Sequence, residues 1–246
     1  MPKHDISDID ELEFRYSFKF AGGKKKDFVI RLDEHSLELL REPRGKYPEW
    51  TLLDNSQCPS CALTKTQRPR CPVAESIVDI VDYFKEVPST ALAQINISTA
   101  TRKFAKRAPV SDGISALLGL YMVSSGCPVL DKLRPMARTH LPFATHEETM
   151  YRVLSMYMLA QYFHLRDGET PDWEMHGLAA LMENIRDVNQ HFVGRLQRVC
   201  KKDAVLNAMV LLDCFAGITS LALKSRELKQ LRRLFAAHLT KNPAAT

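Results

Sequence analysis

The stretch Phe14-Arg15-Tyr16-Ser17-Phe18-Lys19-Phe20-Ala21-Gly22-Gly23-Lys24-Lys25-Lys26-Asp27-Phe28-Val29-Ile30-Arg31-Leu32 alternates apolar and polar residues on both sides of a Gly-Gly pair. A period of two places Phe14, Tyr16, Phe18 and Phe20 on one face of a strand and Phe28, Ile30 and Leu32 on the matching face of the next. The stretch therefore reads as a β-hairpin with one apolar side, and that side demands a second layer to cover it. Just downstream, Leu37 to Leu40 suggests a helical turn and Trp50-Thr51-Leu52-Leu53 a third strand.

Alternation returns once more. Leu92 and Gln94-Ile95-Asn96-Ile97, followed by Thr99 to Lys106, predict a second and more polar hairpin, whose outer strand carries Arg102, Lys103, Lys106 and Arg107. Between the hairpins, the pattern Ala74, Ile77, Val78, Val81, Phe84 is helical, and Pro72 suits the first position of that helix. After Ser111 the chain turns almost wholly helical. Helices are predicted from Asp112 to Ser124, Thr145 to His164, Asp172 to Cys200, Ala204 to Leu223 and Arg226 to Leu239, with a short proline-bounded segment from Pro128 to His140. Thr145 followed three residues later by Glu148 is a capping box. Met150 to Phe163 is apolar on nearly every side, so it is expected to be the central, fully buried helix.

The fold class is therefore α+β, with N-terminal β-hairpins and a cysteine loop packed on a C-terminal helical bundle. A β-rich region with the cysteine loop covers residues 1–110 and the bundle covers 111–246, the two forming one compact unit. A chain of 246 residues, 45% of them apolar, buries a full core without help from disulfides. The Met1-Pro2-Lys3-His4-Asp5 opening has no basic segment leading into an apolar one, so no secretory signal is expected and the cytoplasm is the expected compartment. The run Ala204 to Leu223 is long enough for a membrane span, but Asn207 and Asp213 near its middle favour a buried bundle helix.

Six cysteines in a reducing compartment do not suggest disulfides. Cys58-Pro59-Ser60-Cys61 is followed by Cys71-Pro72 and then, far downstream, by Gly126-Cys127-Pro128. A CxxC turn supplies one edge of a tetrahedral site, and Cys71 and Cys127 are the natural further ligands. Each of these two precedes a proline that opens a helical segment, which would aim a helix dipole at its sulfur and favour the thiolate. The set Cys58, Cys61, Cys71 and Cys127 is thus read as a closed structural zinc site. A 4Fe-4S cluster is the alternative, since Cys-Pro pairs accompany both. His140 or His146 would be substitute ligands. Against this stands the plain reading of Cys61 and Cys127 as small buried hydrophobes, and a reactive Cys127 is a third possibility. Cys200 and Cys214 are expected in the core. Residues 54–70 lack apolar periodicity, so something other than a hydrophobic core must order them.

Arg134 and Arg138, four apart and close to Cys127, form a candidate anion-binding pair, with a solvated salt-bridge face as the alternative. The chain's charge of +5 lies in its last part: from Lys201 onward eight Lys or Arg face three Asp or Glu. Lys224, Arg226, Lys229, Arg232 and Arg233 run beside an apolar stripe of Leu228, Leu231, Leu234 and Phe235, a footprint for nucleic acid or for an acidic partner. No phosphate-cradling glycine motif, nucleophile elbow, dinucleotide fingerprint or Glu-x-x-His pair is present, so no catalytic motif is found. The expected function is that of a metal-binding protein whose zinc staples loop to bundle, in a structural or regulatory role exercised through another protein and without a membrane. An iron–sulfur redox protein and a nucleic-acid-binding module are the alternatives.

Ser125-Gly126-Cys127-Pro128-Val129-Leu130-Asp131-Lys132-Leu133-Arg134-Pro135-Met136-Ala137-Arg138-Thr139-His140-Leu141-Pro142-Phe143-Ala144-Thr145, with the upstream CPxC and Cys71-Pro72-Val73-Ala74, resembles an uncharacterised bacterial family known as a domain of unknown function. The resemblance is strong over residues 58–165 and weaker in the flanks. It implies that this segment is one unit, and it implies no reaction, fold or cofactor.

Overall fold

The structure, a computed structural model, describes residues 10–42, 44–225 and 228–240. The Met1–Asp5 opening and Arg226 lie outside the described residues. Strands β1 (Glu11–Phe20) and β2 (Lys25–Asp33) form the first hairpin, turning through Ala21–Gly23. A 3₁₀ turn at Glu49–Thr51 precedes the cysteine loop, and α1 (Pro72–Ser76) and α2 (Val78–Phe84) follow it. Strands β3 (Leu92–Ser98) and β4 (Lys103–Pro109) make the second hairpin. The helical part comprises α3 (Val110–Val123), a 3₁₀ segment at Leu130–Ala137, α4 (His146–Arg166), α5 (His176–Gln197), α6 (Ala204–Lys224), α7 (Lys229–Leu234) and α8 (Ala236–Leu239).

The two hairpins join edge to edge into one antiparallel sheet of order β2-β1-β3-β4, with Tyr16 opposite Ile97 and Phe18 opposite Ile95. The alternation seen in the sequence sets which residues point inward: Phe14, Tyr16, Phe18, Phe28, Ile30, Leu32, Ala93, Ile95 and Ile97 are all buried. α2 lays Phe84 between the rings of Phe18 and Phe28, at centroid distances of 5.1 and 5.7 Å. Gly113 lets α3 cross this face closely, since a β-carbon there would stand 2.7 Å from Phe18 Cε1 and 2.8 Å from Ile95 Cδ1. The buried residues of the sheet and of the helices form one continuous hydrophobic cluster.

Several expectations give way. Trp50-Thr51-Leu52-Leu53 is not a strand: Glu49–Thr51 coils into the 3₁₀ turn, and only Leu52 makes a bridge, to Arg70. Leu37 sits at a left-handed φ of 59° and Leu39 bridges Leu32, so residues 37–40 extend the hairpin's edge instead of turning helically. The capping box at Thr145 and Glu148 forms in both directions, but α4 is not the central helix. Of its side chains Val153, Leu154 and Gln161 are buried, while Leu159, Tyr162 and Phe163 are exposed. α5 and α6 pack along each other and α6 packs on α3, which leaves α4 on the outside. A uniformly apolar sequence fixes no direction of burial, whereas the α5 stripe Leu178, Leu181, Met182, Ile185, Val188, Phe192, Leu196 does. The C-terminal helix is split at Phe235 into α7 and α8. Cys214 is exposed on α6 and Cys200 half-buried, so neither is a full core residue. Among the described residues α6 alone is long and apolar enough to cross a membrane; its Ala204, Val205, Ala208, Met209 and Ala216 are buried in the fold.

Candidate metal centre

Three separate segments carry the four cysteines of interest. The Cys58–Cys61 turn is closed by the Cys61 amide donating to the Cys58 carbonyl at 3.0 Å. It belongs to a loop whose base is pinned where Leu52 bridges Arg70 and the Cys71 amide donates to the Thr51 carbonyl at 2.8 Å. Cys71 is the N-cap of α1, with Pro72 at the first helical position. Cys127 follows Gly126, whose φ of 84° suits glycine and turns the chain out of α3.

These segments meet. Cys58 feels the charge of Cys71, Cys127 and Cys61; Cys71 feels Cys61; and Cys127 feels Cys71 and Cys61. Every pair among the four is therefore in electrostatic contact. That influence reaches further than the ~2.3 Å of a zinc–sulfur bond, and among the described residues no three His, Cys, Asp or Glu stand together as a ready ligand set. Burial pushes Cys58 up to about 12 and raises Cys71 and Cys127 as well. The amides of Val73 and Ala74 at Cys71, and of Val129 and Leu130 at Cys127, pull the other way as the helix-start argument requires, without closing a cap hydrogen bond to the Cys71 sulfur. Desolvation outweighs them, so burial raises these two thiols where the helix starts alone would lower them.

Two arginines assemble this region. Arg41 donates to the Pro72 carbonyl at 3.2 Å and to the Ser125 carbonyl, bracketing the residues beside Cys71 and Cys127. It shares Glu75 with Arg68, at 3.4 and 3.0 Å. Arg195, reaching in from α5 and only 2% exposed, donates to the carbonyls of Trp50 and Leu52 at 2.6 Å, Leu53 at 3.3 Å and Ser56 at 3.1 Å. Its charge acts on Cys58 and Cys71, and its Nε is buried without a partner among the described residues. A buried guanidinium thus pins the entry to the cysteine loop, from Trp50 to Ser56. Sequence reasoning missed Arg195; the available signal was a charged residue on the buried stripe of α5.

The remaining candidates lie elsewhere in the fold. His140 bonds the Tyr16 hydroxyl, stands edge-on to Phe14 at 5.6 Å, and is held down to about 3 by burial and then by Arg152. His146 is the first residue of α4. Arg134 pairs with Glu38 at 3.0 Å and with Asp131, and Arg138 pairs with Glu34 at 3.1 Å, so both arginines clasp the turn after β2. In the basic strip, Lys224 is paired with Glu183 at 2.8 Å, while Arg232 and Arg233 are exposed.

No curated protein and no solved structure matches the chain. The family resemblance drawn from residues 58–165 extends over nearly the whole fold, from β1 to the start of α8. The chain belongs to the family described as Domain of unknown function (DUF6901), which matches residues 14–236.

Proposed function

We propose that the protein is a zinc-binding module in which Cys58, Cys61, Cys71 and Cys127 hold one structural ion that staples the cysteine loop to the start of α1 and the end of α3. The observation that carries this reading is the mutual electrostatic contact of four thiols from three segments, beside the buried charge of Arg195. Four thiolates around a divalent ion leave a net charge of about −2, and a guanidinium whose buried Nε has no partner among the described residues is suited to offset part of it. Zinc supplies four tetrahedral bonds and no redox chemistry of its own. Because burial raises the thiols of Cys58, Cys71 and Cys127, loading must expel protons, so affinity rises with pH. The six cysteines are free thiols, which suits a reducing cytoplasm. Work of this module through another protein is favoured by the apolar side chains Leu159, Tyr162, Phe163 and Leu221 on the outer faces of α4 and α6.

Elemental analysis of protein purified anaerobically tests the reading. The expected result is about one zinc per chain, lost in Cys61→Ser and in Cys127→Ser and retained in Cys214→Ser. A brown protein carrying iron and sulfide would replace zinc by the iron–sulfur alternative on the same thiols. Finding neither metal, together with no uptake of added zinc in competition with a chromogenic chelator, overturns the proposal.

A further inference from the structure

Within the helical part, a cavity of about 370 Å³ opens between α3, the Leu130–Ala137 segment, the start of α4, and α5 with α6. Its volume falls in the ~300–1,000 Å³ range of small-molecule sites. Leu120, Val123, Leu133, Phe143, Leu212 and Phe215 give it an apolar wall.

Two polar groups of that lining, Asn189 and Arg152, are not fully paired off as core polar groups ordinarily are. Asn189, on the buried stripe of α5, is 1% exposed, and neither its Oδ1 nor its Nδ2 has a partner among the described residues. Arg152 spends one donor on the Met136 carbonyl at 2.7 Å, while its Nε is buried without a partner and no carboxylate forms an ion pair with it among the described residues. His140, held by Tyr16, completes the polar group. The other cation on the lining, Lys106, is neutralised by Asp112 at 3.1 Å. Leaving an amide and a guanidinium nitrogen unsatisfied in an apolar wall is unfavourable by a few kcal/mol per group. The arrangement supplies what an amphipathic anion needs: an apolar sleeve, a cation without a counterion, and an amide that offers both a donor and an acceptor.

We propose that this cavity binds a medium-chain carboxylate, its hydrocarbon body against the Leu133, Phe143 and Phe215 wall and its head on Arg152 and Asn189. The planar carboxylate suits the guanidinium fork, and the site is independent of the metal reading. The test uses the full chain with decanoate, kept below its micelle concentration, and decanol as the neutral counterpart, read by titration calorimetry and by amide chemical shifts. Decanoate is expected to bind at least ~10-fold more tightly than decanol, and Arg152→Gln to remove that preference while leaving decanol within about twofold. Asn189→Leu replaces two unsatisfied atoms by apolar ones, so it is expected to melt no lower than the parent while binding decanoate less well. That variant keeps the proposal testable if Arg152→Gln does not fold. Equal binding of decanol and decanoate, undiminished decanoate binding by Asn189→Leu, or shifts confined to residues away from the cavity would each overturn it.

Discussion

Asn189 and Arg195 occupy the same kind of position. The buried stripe of α5 runs Leu178, Leu181, Met182, Ile185, Val188, Asn189, Phe192, Arg195, Leu196, and the two polar members fall on it at helical spacing. One faces the cavity and the other the cysteine loop. A polar side chain on a core stripe is tolerated when something satisfies it, and for Arg195 four backbone carbonyls do. Arg195→Met is therefore expected to lower stability by about 3–5 kcal/mol, because buried carbonyls lose their donors; denaturant titration at fixed pH checks this. Such residues are where the sequence reading stopped short. The CxxC spacing announced Cys58 and Cys61, and the Cys-Pro pairs pointed to Cys71 and Cys127, because those signals are local. What Arg195 and Arg41 do depends on which distant backbone groups the fold brings to them, and no period or spacing encodes that.

Among the elements, β1, β2, β3 and α5 were legible because each buries a face with a definite period, α3 and α6 were legible as apolar runs, and the Thr145–Glu148 box marked the start of α4 to the residue. The environment of α4 was not legible. Its apolar residues surround the axis, so the pattern gave no way to tell a helix enclosed by protein from one lying on its outside. The placement has a measurable consequence. Phe163, 55% exposed, is expected to tolerate Phe163→Ser within about 0.5 kcal/mol, whereas Leu178→Ala on α5 is expected to lose about 2–5 kcal/mol. Thermal or denaturant unfolding of the two variants separates the arrangements, and the opposite order would return α4 to the centre. The Trp50–Leu53 segment misled for a related reason: β-prone residues were present, but the Thr51 amide bonds the Pro48 carbonyl and closes a 3₁₀ turn instead.

For the molecule as a whole, the pH dependence of stability follows from His140. Its folded value is depressed to about 3 from an ordinary 6.5, so below pH 6.5 the unfolded chain takes up a proton that the native state refuses. Stability is fully present above pH 6.5 and declines as pH falls towards 3, by at most about 1.4 kcal/mol per pH unit from this one group. Between about pH 6.5 and 5.5 the depressed carboxylates, whose contribution is lost only as the unfolded chain protonates nearer 4.5 and 3.8, add little slope, so His140→Gln is expected to flatten the curve there in a series of urea titrations. The guanidinium that pins the cysteine loop carries a different implication. Arg195 fastens residues 50–56 without an ion, and only the turn beyond them, with Cys58 and Cys61, is left for the proposed zinc to staple. Removing the zinc proposed above should then leave a native molecule rather than a denatured one, with a socket able to be refilled. Occupancy could track the free ion around it, rising and falling while the rest of the architecture stands.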